Sequence, residues 1–203
     1  MAAKIELVLF DMDNVLCHYD RWTRAARLAQ ISGGQENAIY RAIWDSGFER
    51  LGDSGALTSS EYLREFGDRI GYPLSLDEWL DARRTASGAD HDMLDIVRRL
   101  SGSVNVAILT NNTELVVEHI DFLCSELGPL FGQHIYASAR FRAAKPDAAC
   151  YRSCLAELGA KPEAVLFVDD LEENVTGARQ AGLHAERFTS VAGFRTTLQL
   201  YGL

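Results

Sequence analysis

Five short apolar runs punctuate the chain: Ile5–Phe10, Val104–Leu109, His134–Ala137, Val165–Val168 and His184–Phe188. The first, second and fourth are nearly continuous and rich in β-branched side chains, the pattern of strands covered on both faces. Between the later runs the apolar period lengthens to that of a helix. Thr113–Leu127 opens on "NTE", Asp147–Leu158 follows Pro146 and stops at Gly159, and Glu172–Ala181 stops at Gly182. Strands alternating with helices predict a parallel α/β sheet.

Residues 17–88 interrupt that alternation. No run within them reads as a strand. Arg21–Ile31 and Glu36–Arg50 carry helical patterning, while "TSSE" at Thr58–Glu61 and "SLDE" at Ser75–Glu78 have the spacing of capping boxes. "SGG" and "GDSG" read as loops. The expected organisation is therefore an α/β core of residues 1–16 and 89–203, with a helical cap of residues 17–88 above the carboxyl edge of the sheet. No repeat or low-complexity tract competes with this division.

Composition narrows the partners. The chain has 203 residues, 47% hydrophobic and 24% charged, as expected of one globular domain with a modest insertion. Its net charge of -9 removes the basic footprint of a nucleic-acid binder, so an anionic substrate must be met by a local positive site. The four cysteines, Cys17, Cys124, Cys150 and Cys154, contain no CxxC pair and read as buried, reduced thiols. The stretch "MAAKIELVLFDMDN" lacks a signal-peptide shape, and no apolar run approaches ~20 residues. A cytoplasmic protein without a membrane span is expected; the sequence leaves its oligomeric state open.

The chemistry sits at the strand ends. In open α/β sheets ligands bind beyond the carboxyl ends of the strands. Asp11 and Asp13 follow the first predicted strand, Thr110, Asn111 and Asn112 the second, Lys145 the third, and Asp169 and Asp170 the fourth. Asp11 and Asp13 are two apart, so an extended backbone points both to one side. One carboxylate can attack a phosphoryl group, and the other can give a proton to the leaving oxygen and later take one from water. Crowded carboxylates call for a cation, and oxygen ligands suit Mg²⁺; Asp169 and Asp170 offer the remaining ligands. Lys145 can neutralise nucleophile and phosphate, and Thr110 with the following helix N-terminus can hydrogen-bond phosphate oxygens. Asn111 and Asn112 are placed as substrate-binding candidates. Helix capping weighs against that role, since Asn111 and Glu114 have capping-box spacing. His18 is a candidate specificity residue or an ordinary hinge residue. Trp22, Trp44, Phe48, Arg83 and Arg84 could also face the substrate; the aromatic residues read first as cap core, and Arg83 and Arg84 by default as a solvated helix face, with contact to an anionic substrate as the alternative.

"DMDNV", "LTNN", "KPD" and "VDDLEENVTGARQAG", in this order at strand ends, resemble the four motifs of the haloacid dehalogenase-like (HAD) superfamily. The resemblance implies a Rossmann-like core with a helical cap after the first motif. It implies Asp11 as nucleophile, Asp13 as general acid/base whose carbonyl also binds Mg²⁺, and Thr110 and Lys145 on the phosphoryl group. Asp170 becomes the direct metal ligand, with Asp169 acting through water or as a support. The substrate implied is a small phosphorylated metabolite. F-x-D-x-x-N-V further resembles the subgroup of glucose-1-phosphate-type phosphatases and the N-terminal phosphatase domain of epoxide hydrolases, so a sugar phosphate is the first expectation. Two positions depart from the usual pattern. Asn14 stands where Gly is common, and Asn tolerates unusual backbone angles. Asn174 stands where some relatives carry another acid. The rivals are a phosphoglucomutase-like phosphotransferase, a 2-haloacid dehalogenase (which needs no acid at position 13) and a non-catalytic binding protein.

Overall fold

The computed structural model describes residues 4–203; Met1–Ala3, and with them the start of the stretch read as lacking a signal peptide, lie outside. In chain order the strands are β1 (Leu7–Phe10), β2 (Cys17–Tyr19), β3 (Ser87–Ala89), β4 (Asn105–Thr110), β5 (Ile135–Ala137), β6 (Val165–Asp169) and β7 (His184–Arg187). Five of them form a sheet in the order β5-β4-β1-β6-β7, and every neighbouring pair is parallel. Each is a run that the apolar pattern predicts, to within two residues.

Alternation along the strands divides the core. Val8, Phe10, Ile108, Leu166 and Val168 face one layer of helices, which includes His91–Leu100 and Val191–Leu200. Leu7, Leu9, Ala107, Leu109, Val165 and Phe167 face the other, Ala148–Leu158 and Glu172–Gln180. Both faces of β1, β4, β5 and β6 are covered, so these strands are largely apolar; at the edge strand β7 only Ala185 is buried. His91–Leu100 and Val191–Leu200 are helices beyond those that the apolar pattern predicts. All four cysteines are buried and free, as expected; Cys150 and Cys154 pack in the second layer.

Three expected elements are corrected. Thr113–Leu127 is not one helix but two short ones, Glu114–Glu118 and Ile120–Leu123, with a further turn of helix at Gly128–Phe131 beyond it. The breaks fall at His119 (φ -119°, ψ 25°) and Cys124 (φ -155°, ψ 83°). Leu115 and Val116 in the first segment and Leu123 and Cys124 at the end of the second are all buried, so the helical spacing of apolar residues runs on across the break at His119 and does not reveal it. Glu36–Arg50 is likewise interrupted, at Gly47, whose φ of 77° is left-handed and ends a helix; Phe48–Asp53 resumes beyond it. Finally, the insertion is not all-helical. It enters and leaves through an antiparallel ribbon of β2 and β3, Cys17 opposite Ala89 and Tyr19 opposite Ser87. Three-residue strands whose partners lie at opposite ends of the insertion leave no periodic trace. The two capping boxes form as the sequence predicts: Thr58 and Glu61 close the start of Ser59–Ile70, and Ser75 and Glu78 that of Leu76–Thr85.

One glycine fixes helix Glu172–Gln180 against the loop at Pro146. A Cβ on Gly177 would stand 2.4 Å from the Pro146 carbonyl oxygen and 2.7 Å from its Cβ. Helix propensity alone would make Gly177→Ala stabilising by about 1 kcal/mol, but backbone cannot yield as a side-chain tip can. We expect Gly177→Ala to be destabilising by about 1–3 kcal/mol from overpacking, read as a lowered thermal midpoint. A raised midpoint would contradict the packing.

Candidate active site

β1 delivers Asp11 to the edge of the sheet, where its N–H donates to Val168 O at 2.9 Å and extends the strand by one residue. The chain then turns tightly. Met12 O accepts from Leu16 N (2.9 Å) and Cys17 N (3.0 Å), and Asn14 takes φ 61°, with its Oδ1 accepting from Tyr19 N at 3.1 Å. Asn14 thus occupies the left-handed conformation that the usual glycine would supply, and its side chain ties the turn to β2.

Lys145 lies at the centre. Its Nζ donates to Leu109 O at 3.0 Å and to Asp169 Oδ2 at 2.7 Å, and stands 2.8 Å from Asp11 Oδ1. Three oxygens match the three donors of an ammonium. Asn111 places the loop: its Nδ2 donates to Lys145 O and its Oδ1 accepts from Lys145 N, both at 2.9 Å. This corrects the capping reading of Asn111. The helix cap is Thr113, which makes no side-chain capping bond. That helix has only five residues, so its N-terminal dipole is weak.

Asp169 is wholly buried. Beside Lys145 it accepts from Leu171 N at 2.8 Å and from Asn174 Nδ2 at 3.1 and 3.0 Å. Asn174 donates where a further acid would repel, which gives physical sense to that departure. Asp170, half-buried, is the less encumbered carboxylate of the pair. Thr110 Oγ1 accepts from Asn112 Nδ2 at 2.8 Å, and the same nitrogen lies 3.3 Å from Asp13 Oδ2.

The structure therefore gathers Asp11, Asp13, Thr110, Asn111, Asn112, Lys145, Asp169 and Asp170 at one sheet edge. His18 stands apart: its imidazole is 78% exposed and 3.9 Å from Asp90, with no hydrogen bond or ion pair to the cluster among the described residues. Arg83 was missed. It is buried, and its Nη2 reaches Asp13 Oδ1 at 2.8 Å and Oδ2 at 2.7 Å. A signal for it exists in the sequence: Arg83 follows Trp79 by four residues and Leu80 by three, on the same buried stripe. Arg84 lies off that stripe, over the Phe122 ring at 4.8 Å. Phe48 is core, while Trp22 is partly exposed and stacked on Tyr40.

The electrostatics call for a cation. Burial pushes the Asp11 carboxyl up to about 7; Lys145 pulls it down, and Asp169 and Asp13 push it up again. Burial and the neighbouring Asp169 also raise Asp170. Burial works against the Lys145 ammonium, yet Asp11 and Asp169 outweigh it and hold its pKa above the ordinary lysine range. Oxygens of Asp11, Asp169 and Asp170 lie within 4.8 Å of one another. Asp169 is already occupied by Lys145, Asn174 and Leu171, so Asp11 and Asp170 are the carboxylates open to a metal. An all-oxygen set with few fixed positions fits Mg²⁺.

A doubly wound parallel sheet with paired aspartates, a buried lysine and an acidic corner at its carboxyl edge defines a hydrolase of the haloacid dehalogenase-like class. Comparison agrees: residues 5–182 match the haloacid dehalogenase-like hydrolase family, and the chain belongs to it. It is 31% identical over 189 residues to Phosphatase MT3486 of Mycobacterium tuberculosis, covering 89% of this chain and 86% of the relative. It is 22% identical over 205 residues to the D-ribitol-5-phosphate phosphatase of Bacteroides thetaiotaomicron, covering 96% and 97%. Among solved structures it resembles a HAD family enzyme of Bacteroides thetaiotaomicron in complex with magnesium and inorganic phosphate (TM-score 0.76, 21% identity, 91% and 94% covered).

Asp11 yields a pH-dependent expectation. Its folded pKa is raised from 3.8 to about 7, so the protonated form is the one that folding favours. In EDTA its contribution to stability is full below pH 3.8 and is lost as pH rises through about 7. Saturating Mg²⁺ holds the carboxylate ionised and opposes that loss; at 100 Kd it adds about 2.7 kcal/mol. Thermal midpoints against pH, with EDTA and with Mg²⁺, should diverge toward neutral pH, and Asp170→Asn should close the gap. Parallel curves would contradict the assignment.

Proposed function

We propose that this chain is a Mg²⁺-dependent phosphomonoester hydrolase that acts on a small phosphorylated metabolite through an aspartyl-phosphate on Asp11. The observation that carries the reading is the pair of aspartates two residues apart with different partners: Asp11 beside the Lys145 ammonium, Asp13 outside that contact and held by Arg83 and Asn112. A dehalogenase has no use for the second carboxylate.

The Asp11 carboxylate attacks phosphorus, and Lys145 balances the negative charge that collects there. Asp13 gives a proton to the leaving alcohol oxygen; in the second half-reaction it takes one from the water that cleaves the acyl phosphate. Thr110 Oγ1 and the Asn112 amide offer hydrogen bonds to the phosphoryl oxygens. Asp11, Asp170 and the Asp13 carbonyl would hold Mg²⁺, which when bound supplies charge neutralisation and orients the phosphoryl group. Residues 17–88, hinged on β2 and β3, act as a cap that excludes bulk water and selects the leaving group. The kinship with a ribitol-phosphate phosphatase and the F-x-D-x-x-N-V pattern both support a phosphorylated polyol or sugar. Four buried reduced thiols fit a cytoplasmic location.

The test is phosphate release from ribitol 5-phosphate, glucose 1-phosphate, glucose 6-phosphate, glycerol 3-phosphate and p-nitrophenyl phosphate, with Mg²⁺ or EDTA. Release that needs Mg²⁺ and falls by at least about 10³-fold in Asp11→Asn is expected, since the nucleophile has no substitute. An isomeric sugar phosphate with little free phosphate would indicate a mutase. Release unaffected by the substitution would remove Asp11 as nucleophile.

A further inference from the structure

The contact between Arg83 and Asp13 joins the insertion to the proposed proton donor. Arg83 sits in the last turns of helix Leu76–Thr85; its carbonyl accepts from Ser87 Oγ at 2.9 Å, where β3 begins. Its guanidinium lies 3.7 Å from the Tyr19 ring centroid on β2. Arg83 is thus anchored to both strands by which the insertion meets the core, and its Nη2 reaches Asp13 in the turn after β1. Its side chain is 2% exposed, and Asp13 is the carboxylate that pairs with it. Were Asp13 to turn away, a buried cation would lose its counter-charge, so each group fixes the other.

The geometry at Asp13 is asymmetric. Oδ2 accepts from both Arg83 and Asn112, and Oδ1 from Arg83 alone. Oδ1 is the freer oxygen. We propose that Arg83 is a positioning residue for proton transfer: it holds Asp13 so that one oxygen serves the leaving group, and it ties that orientation to the seating of residues 17–88 on the core. Cap seating and acid assistance then occur together, and a substrate that the insertion does not enclose meets a misdirected acid. This inference rests on the phosphatase reading and on Asp13 as acid.

Leaving groups separate this role from a structural one. An alkyl phosphate needs its departing oxygen protonated; p-nitrophenolate departs without help. The value of kcat/KM reports events up to phosphorylation of Asp11 and leaves out hydrolysis of the acyl phosphate. It should be measured for Arg83→Met and Arg83→Lys with the best alkyl phosphate of the panel and with p-nitrophenyl phosphate. Arg83→Met is expected to lose about 100-fold or more on the alkyl substrate, the scale of general-acid assistance, and less than about 5-fold on the aryl one. Arg83→Lys keeps the charge without the planar fork and should recover part of the alkyl rate. Thermal melts confirm folding; if the Met variant does not fold, the Lys variant carries the comparison, with the same alkyl-selective loss in weaker form. Equal losses on both substrates, or none on either, would overturn the proposal. A wild type inactive on every phosphate would instead overturn the phosphatase reading.

Discussion

The site is organised around one buried ammonium. Lys145 Nζ has a carbonyl and two carboxylates around it, and no part of its side chain reaches solvent. Removing such a charge from water is costly by several kcal/mol unless it is paired and hydrogen-bonded. The pairing is supplied by three strand ends at once: Leu109 on β4, Asp11 after β1 and Asp169 on β6. The parallel register that aligns Phe10 with Ile108 and Val168 is therefore also what brings the acids to the lysine.

The neighbouring features serve that arrangement. Asn111 clips the loop that carries Lys145. Gly177 lets helix Glu172–Gln180 approach Pro146, and Asn174 fills the hydrogen-bonding capacity of Asp169, leaving Asp170 the less encumbered carboxylate. Two carboxylates that would otherwise be equivalent are thus divided by environment, one built into the frame and one left open to a cation. Asp11 and Asp13 are divided in the same way, by Lys145 on one side and Arg83 on the other. Local partners, rather than residue type, assign the chemistry.

Much of this was legible in the chain. Continuous apolar runs marked the sheet because both of its faces are covered, and polar residues at their carboxyl ends marked the site because no core could use them. Capping boxes at Thr58 and Ser75 read correctly because they are local. What stayed hidden depends on distant contacts. The strands β2 and β3 pair segments from opposite ends of the insertion, and the break at His119 lies within a stretch whose apolar residues keep helical spacing, Val116 and Leu123 being seven apart. Arg83 read as solvent-facing because arginine usually is, although its spacing from Trp79 placed it on the buried stripe. Asn111 read as a cap because the capping box is a local pattern, whereas its partner, Lys145, lies far along the chain.

The most direct measurement is to trap the covalent intermediate. Protein turning over an aryl phosphate with Mg²⁺ would be quenched in acid and digested, and its peptides mapped by mass. The account expects a phosphoryl adduct on the peptide bearing Asp11, present in Asp13→Asn and absent in Asp11→Asn. Efficient turnover with an unmodified Asp11 peptide, or an adduct on another residue, would contradict it.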